Sequence, residues 1–236
     1  CCTQTEPHMV IMEFIMFGKL LTFLRDHRTR HNYFNFSSDT AALTARDLTR
    51  FACQVATGCD YLQSRGIIHR DLAARNILVD HNKVCKIADF GMARSIQDIG
   101  SDIYEQKSKS ALPIRWMAPE SLYMNIFTHK SDVWSFGILC WEIVTLGATP
   151  YPGLTAREVM RQVTEGYRLE RPDHCRIELY RLLATCWQQD LNKRPTFHQL
   201  KIELSTLLEH QTGYIDLENF PEEDYFSMHQ NNEEKL

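Results

Sequence analysis

Apolar residues recur at two spacings along this chain, and the spacings mark different elements. From Asp47 to Ser64, Leu48, Phe51, Ala52, Val55, Cys59 and Leu62 fall three or four apart, the repeat of one helical face. Thr44-x-x-Asp47 forms a capping box at the start of that helix, and Gly66 ends it. From Asp132 to Leu146 the apolar positions run nearly all the way round, from Val133 and Trp134 to Ile143 and Val144. A helix without a polar face must be buried, and Gly147, Pro150 and Pro152 stop it. Further helices are expected over Thr155–Glu165, Ile177–Trp187 and Thr196–His210, two of them opened by Thr155-x-x-Glu158 and Thr196-x-x-Gln199 boxes. A shorter one follows Gly18, from Lys19 to about Asp26. Strand-like runs are few. His8–Phe14 is one, preceded by a turn near Pro7 and the end of another strand at Cys1–Thr5. Ile77–Val79 and Val84–Ile87, separated by the turn Asp80-His81-Asn82-Lys83, form a hairpin. The fold class is therefore α+β, mainly helical, with a small β-hairpin at its centre.

The polar stretches between these runs carry the chemistry. Ile68 to Asn76 lies between the long amphipathic helix and the hairpin, and the second hairpin strand ends at Asp89-Phe90-Gly91. The hairpin thus brings Asp71, Asn76 and Asp89 to one end of a small sheet. Asp and Asn oxygens suit Mg²⁺, and a further Asp can accept a hydroxyl proton. Taken singly, these residues are equally good turn formers. Arg28 to Ala42 is a polar surface insert, Asp89 to Glu120 is polar and irregular, and the chain turns acidic after Gly213.

Composition narrows the classes. The net charge is −4, and Gln211 to Leu236 holds seven acids and one Lys, leaving +2 for the rest. That balance gives no support for nucleic-acid binding. The eight cysteines are scattered without ligand spacing, as reduced residues of a cytosolic domain are, not a disulfide framework or metal site. No apolar run reaches membrane-spanning length and no signal peptide opens the chain. The first residue is Cys1, so a longer parent protein is expected.

The loop His69-Arg70-Asp71-Leu72-Ala73-Ala74-Arg75-Asn76, then Asp89-Phe90-Gly91, then Ala118-Pro119-Glu120 resembles the ordered landmarks of a protein-kinase catalytic domain. The order makes turn-forming chance a poor alternative. Arg75, with no Lys two residues after Asp71, and Pro113-Ile114-Arg115-Trp116 resemble tyrosine kinases. The insert and Leu112 to Trp116 are similar to the Ret and FGF-receptor group of receptor tyrosine kinases, with the cadherin-related receptor kinases the best likeness. The resemblance covers Met9 to His210. It implies the end of a small lobe and the hinge over 1–18, a large lobe over 19–210 with its insert at about 28–42 and activation segment at 89–120, and a disordered acidic tail over 211–236.

Roles follow from the resemblance, residue by residue. It implies ATP and Mg²⁺ as cofactors and tyrosine-containing proteins as substrates. Asp71 would orient the tyrosine hydroxyl and take its proton late, Arg75 would help place the substrate, and Asn76 and Asp89 would hold Mg²⁺. Met12 would stand at the gatekeeper position, Glu13 and Ile15 would face the adenine edge through their backbone, and Leu78 would floor the adenine pocket. His69 and Phe90 would belong to the packed column aligning the lobes, Asp132 would hold the catalytic loop by its amides, and Glu120 would pair with Arg194. Tyr104, beside Asp102 and Glu105, would carry a regulatory phosphate paired with Arg70 and Arg94. Tyr225-x-x-Met228 resembles a docking site for Src-homology-2 domains. The parent receptor would self-associate for trans-phosphorylation and place this lobe on the cytoplasmic side of the plasma membrane.

The sequence departs from the family at its start: no Gly-x-Gly-x-x-Gly loop, and no strand Lys with its helix Glu, precedes the hinge. Those parts cover and pair with the nucleotide phosphates. These 236 residues by themselves are therefore expected to have little or no kinase activity. Two function classes follow: the lobe of a complete receptor tyrosine kinase, or a truncated, non-catalytic module that docks partners or competes with intact receptors.

Overall fold

The computed structural model describes residues 12–30, 43–96, 104–105, 112–210, 212–221 and 225. Expectations for the strand before Met12, for the insert beyond Arg30 and for Met228 lie outside these residues. The helices are α1 (Leu20–Arg30), α2 (Ala45–Ser64), α3 (Pro119–Met124), α4 (His129–Val144), α5 (Ala156–Thr164), α6 (Ile177–Thr185) and α7 (Phe197–Glu209). The strands are β1 (Ile67–Ile68), β2 (Ile77–Val79), β3 (Cys85–Ile87), β4 (Arg94–Ser95), β5 (Tyr104–Glu105) and β6 (Ile126–Phe127). They pair antiparallel as β1–β4, β2–β3 and β5–β6. The α+β class with a helical large lobe is what the sequence pattern predicts.

Helix α4 is the axis of the lobe. Every residue from Ser131 to Val144 is buried, as an all-round apolar helix requires. It begins three residues before the expected Asp132, because Thr128 caps it: the Thr128 side chain accepts from the Lys130 and Ser131 amides, and Ser131 bonds back to the Thr128 N–H. At Gly137 the helix meets the segment after α6 so closely that a Cβ would lie 2.6 Å from Trp187 Nε1 and 2.8 Å from Cys186 Cβ. No side chain fits there.

Helix α2 lies between α4 and α7 and buries Leu48, Phe51, Ala52, Val55 and Cys59, with Leu62 half-buried. Its capping box is complete, with Thr44 Oγ1 accepting from the Asp47 amide at 3.1 Å and Asp47 Oδ2 accepting from the Thr44 amide at 3.2 Å. Gly66, at φ 66°, turns the chain out of α2 and into β1. Segment 17–19 runs beside β2, where Phe17 N–H donates to the Val79 carbonyl at 3.0 Å and Val79 N–H to the Gly18 carbonyl at 2.9 Å. The approach to α1 is thereby fixed to the hairpin.

The lobe does not end at His210. Tyr214 and Ile215 are buried, Ile215 bridges Cys175, and the Arg176 and Asp216 amides bond the Tyr214 and His174 carbonyls at 2.9 and 2.7 Å. Phe220 packs on His174 with ring centroids 4.7 Å apart. Net acidity made 211–236 read as a disordered tail. The apolar residues Tyr214, Ile215, Leu217 and Phe220 instead pack its first part on the lobe.

Candidate active site

The loop from His69 to Asn76 is held from below by α4. Asp132, buried near the start of that helix, accepts the His69 amide on Oδ2 at 2.7 Å and the Arg70 amide on Oδ1 at 2.9 Å. Arg70 has φ 71°, a left-handed backbone costly for a side-chain-bearing residue. Two charge-assisted bonds from one rigid carboxylate hold it there. Burial pushes the Asp132 carboxyl above the usual carboxylate range, opposed by His69 and by the two amides.

His69 passes the constraint along. Its Nδ1 accepts the Asp71 amide at 3.3 Å and its Nε2–H donates to the Ala88 carbonyl at 3.1 Å. Bonds at both nitrogens fix the orientation of the ring. The ring lies 5.1 Å from that of Phe90, which is half-exposed. The Asp71 carboxylate, 2% exposed, accepts from Arg75 Nη2 at 2.5 Å. The Arg75 guanidinium stacks on the Trp116 ring, 4.1 Å from its centroid.

Asn76 Nδ2 donates to the Asp71 carbonyl at 2.7 Å. That bond turns the Oδ1 of Asn76 into the acceptor free for a cation. The Ala88 amide donates to the Asn76 carbonyl at 2.9 Å, so Asn76 and Asp89 stand at the same end of the hairpin. Asp89 is exposed in a left-handed conformation, φ 58°, with Oδ1 accepting from the Gly91 amide at 3.4 Å. Among the described residues no cluster of three or more His, Cys, Asp or Glu could enclose a metal. An amide and a carboxylate oxygen fit Mg²⁺, which takes few protein ligands and completes its shell with phosphate oxygens and water.

The profile of the protein tyrosine and serine/threonine kinase family matches residues 1–204. The chain belongs to that family. It is 55% identical over 236 residues, all of its length, to Tyrosine kinase receptor Cad96Ca of Drosophila melanogaster. It is 44% identical over 221 residues, 92% of its length, to Fibroblast growth factor receptor 1 of Xenopus laevis. It spans 30% and 27% of those two proteins.

Elsewhere in the kinase lobe, Glu120 and Arg194 form a buried fork, with Nη1–Oε1 at 2.6 Å and Nη2–Oε2 at 2.8 Å. Arg194 also donates to the Lys130 and Gln188 carbonyls, each at 2.9 Å. This bridge joins α3 to the turn before α7. Tyr104 lies on β5 opposite Phe127 of β6, and the Arg70 guanidinium sits 4.3 Å above the Phe127 ring. Arg94 is exposed and donates to the Met92 and Ala93 carbonyls.

The hinge residues are placed less tightly. Met12 and Phe14 are 81% and 86% exposed. The Glu13 carboxylate pairs with Lys86 Nζ at 2.7 and 2.8 Å, and Leu78 is half-buried, bridging Lys19. The Ile15 carbonyl, expected at the adenine edge, here accepts the Gly18 amide at 3.2 Å in a tight turn. Tyr225 stands far along the chain from this site, its ring stacked on Phe220 at 5.5 Å and edge-on to Trp141 at 6.3 Å. Glu142 is a residue that the sequence reading passed over. Its signal was a lone acid inside the apolar run of α4.

Proposed function

We propose that this lobe serves a receptor-type tyrosine kinase, transferring the γ-phosphate of ATP to tyrosine hydroxyls of protein substrates. The observation that carries the proposal is Asp71 held at 2.5 Å by Arg75 while Arg75 stacks on Trp116. Held by Arg75, the Asp71 carboxylate would orient an incoming hydroxyl and take its proton late. Arg75, 9% exposed and stacked on the buried Trp116 ring, would help place the substrate beside that carboxylate. Magnesium on the nucleotide supplies charge neutralisation at the transferring phosphoryl group. Asn76 Oδ1 and the Asp89 carboxylate are the residues to hold it. Met12, Glu13, Ile15 and Leu78 line the side on which the adenine would lie, and for Ile15 this requires the turn to Gly18 to open.

Regulation is proposed at Tyr104. A phosphate on Tyr104 would form charge-assisted bonds to Arg70 and Arg94 and so order the segment. A second copy of the parent receptor would add it. The parent would sit in the plasma membrane with this lobe on the cytoplasmic side; among the described residues no helix is long and apolar enough to span a membrane. Phosphorylated Tyr225, followed by Met228, would recruit Src-homology-2 domains.

The test is a radioactive phosphate transfer assay on the natural protein carrying these residues, with a synthetic Glu-Tyr copolymer as acceptor. Phosphotyrosine formation that Asp71→Asn abolishes supports the proposal. Wild-type protein no more active than Asp71→Asn overturns it in favour of a docking module. The 236 residues by themselves should transfer little or no phosphate in the same assay.

A further inference from the structure

Glu142 lies on α4, 1% exposed, in a stretch otherwise built from apolar side chains. Burial pushes its carboxyl up to about 7, despite Ala74, Trp116, Arg75 and Arg25, which all favour the charged form. A packing position would be filled at lower cost by Leu or Met. What the acid does is accept two hydrogen bonds on one atom. Its Oε2 takes the Ala74 amide at 2.9 Å and the Trp116 indole N–H at 2.9 Å.

The two donors belong to different parts of the site. Ala74 lies inside the catalytic loop, between Asp71 and Asn76. Trp116 lies on the segment that leads to Ala118-Pro119-Glu120, and its ring carries the Arg75 guanidinium that bonds Asp71. The backbone of that segment has other anchors. Ser135 Oγ donates to the Trp116 carbonyl at 2.7 Å, and Arg115 donates to the Pro150, Tyr151 and Leu154 carbonyls at 2.9, 3.1 and 2.6 Å. Without Glu142 the main chain keeps its course. The indole loses the bond that sets its tilt, and the loop loses one amide contact. The circuit Asp71–Arg75–Trp116–Glu142–Ala74 then opens at a single atom.

We propose that Glu142 is a positioning residue for phosphoryl transfer: through Oε2 it locks the indole of Trp116 to the catalytic loop, and so sets where Arg75 holds the Asp71 carboxylate. The proposal rests on the kinase reading above. Because both bonds end on one oxygen, an amide carbonyl can replace the carboxylate, whereas an apolar side chain strands two buried donors. Misplacing a reacting group by a fraction of an ångström lowers turnover without altering how the nucleotide binds.

The experiment uses the natural protein carrying these residues, with ATP and the Glu-Tyr copolymer, and compares Glu142→Gln, Glu142→Leu, Trp116→Phe and the Glu142→Leu/Trp116→Phe pair. Each is corrected for folded fraction by circular dichroism. Glu142→Leu should lower kcat by about tenfold to a hundredfold, with the KM for ATP unchanged. Glu142→Gln should restore most of the rate. Trp116→Phe should lower kcat in the same sense, and the pair should lose no more than the worse single change, since both break one circuit. Should Glu142→Leu fail to fold, Trp116→Phe with Glu142→Gln still decides: an active Trp116→Phe protein at wild-type kcat overturns the proposal. A Gln variant as impaired as the Leu variant overturns it too. Wild-type activity absent, and equal to Asp71→Asn, overturns the kinase reading and the proposal with it; wild-type activity with a neutral Glu142→Leu overturns the proposal alone.

Discussion

Asp132 and Glu142 are two acids on one buried helix: Asp132 accepts two loop amides, one on each oxygen, and Glu142 accepts a loop amide and the Trp116 indole N–H on one oxygen. For Asp132 the consequence is mechanical. Asp132→Asn keeps one acceptor but turns an amide NH₂ toward the second backbone N–H, in a site 3% exposed. Loss of a charge-assisted bond plus a buried donor clash should destabilise the lobe by about 2–3 kcal/mol, read as a lower urea midpoint. For Glu142 the consequence is a pH dependence. Its carboxyl lies near 7 in the folded protein against 4.5 unfolded, so the unfolded chain releases that proton first. Its contribution to stability is fully present below pH 4.5 and declines as pH rises through 7. Glu142→Gln removes the proton, so wild type should lose on the order of 3 kcal/mol relative to the variant between pH 4.5 and pH 8. Urea unfolding of both proteins at the two pH values checks the sign and the size. That Asp71, Asn76 and Asp89 meet at one end of the hairpin was legible in sequence because their spacing is local. Trp116 and Glu142 were not brought together by the sequence, because they meet from segments 26 residues apart.

At the scale of elements, the helices were the most legible part. The α2 stripe and the apolar circumference of α4 appear in the structure as expected, and three Thr caps lie where the boxes put them, each one residue before its helix. Strands of two residues, such as β1, β4, β5 and β6, have no period to read. Only their partners define them, which is why just the β2–β3 hairpin was visible beforehand. Element contacts set two further expectations. Gly137→Ala forces a methyl into Trp187 and Cys186 and should cost about 1–3 kcal/mol, measurable as a drop in melting temperature. Glu120→Ala leaves Arg194 buried without its carboxylate and should cost about 3–5 kcal/mol, detected in the same melt.

For the whole molecule, the packed start of the tail changes how Tyr225 should behave. Its ring contacts Trp141 of α4, His174 and Phe220 at 6.3, 6.0 and 5.5 Å. A phosphotyrosine cannot keep those apolar edges and remain hydrated, so modification requires the ring to leave. Phe220→Ala should therefore speed phosphorylation of Tyr225 by an added tyrosine kinase by about threefold or more, taking the ring pair as worth near 1 kcal/mol, with the rate followed by peptide mass spectrometry. An unchanged rate would mean that the contacts do not hold the ring in solution. What the sequence determined by itself was local: helical periods, capping boxes, the hairpin turn, and the residue types of the catalytic loop, all set by neighbours within a few positions. The tertiary structure decided what depends on distant partners. Packing put the acidic tail's apolar residues on the lobe. The depth of α4 raised the Glu142 carboxyl to about 7. Its oxygen could join the loop to the Trp116 indole only once helix, loop and segment had closed around one buried point, where an unbonded polar group is too costly to leave.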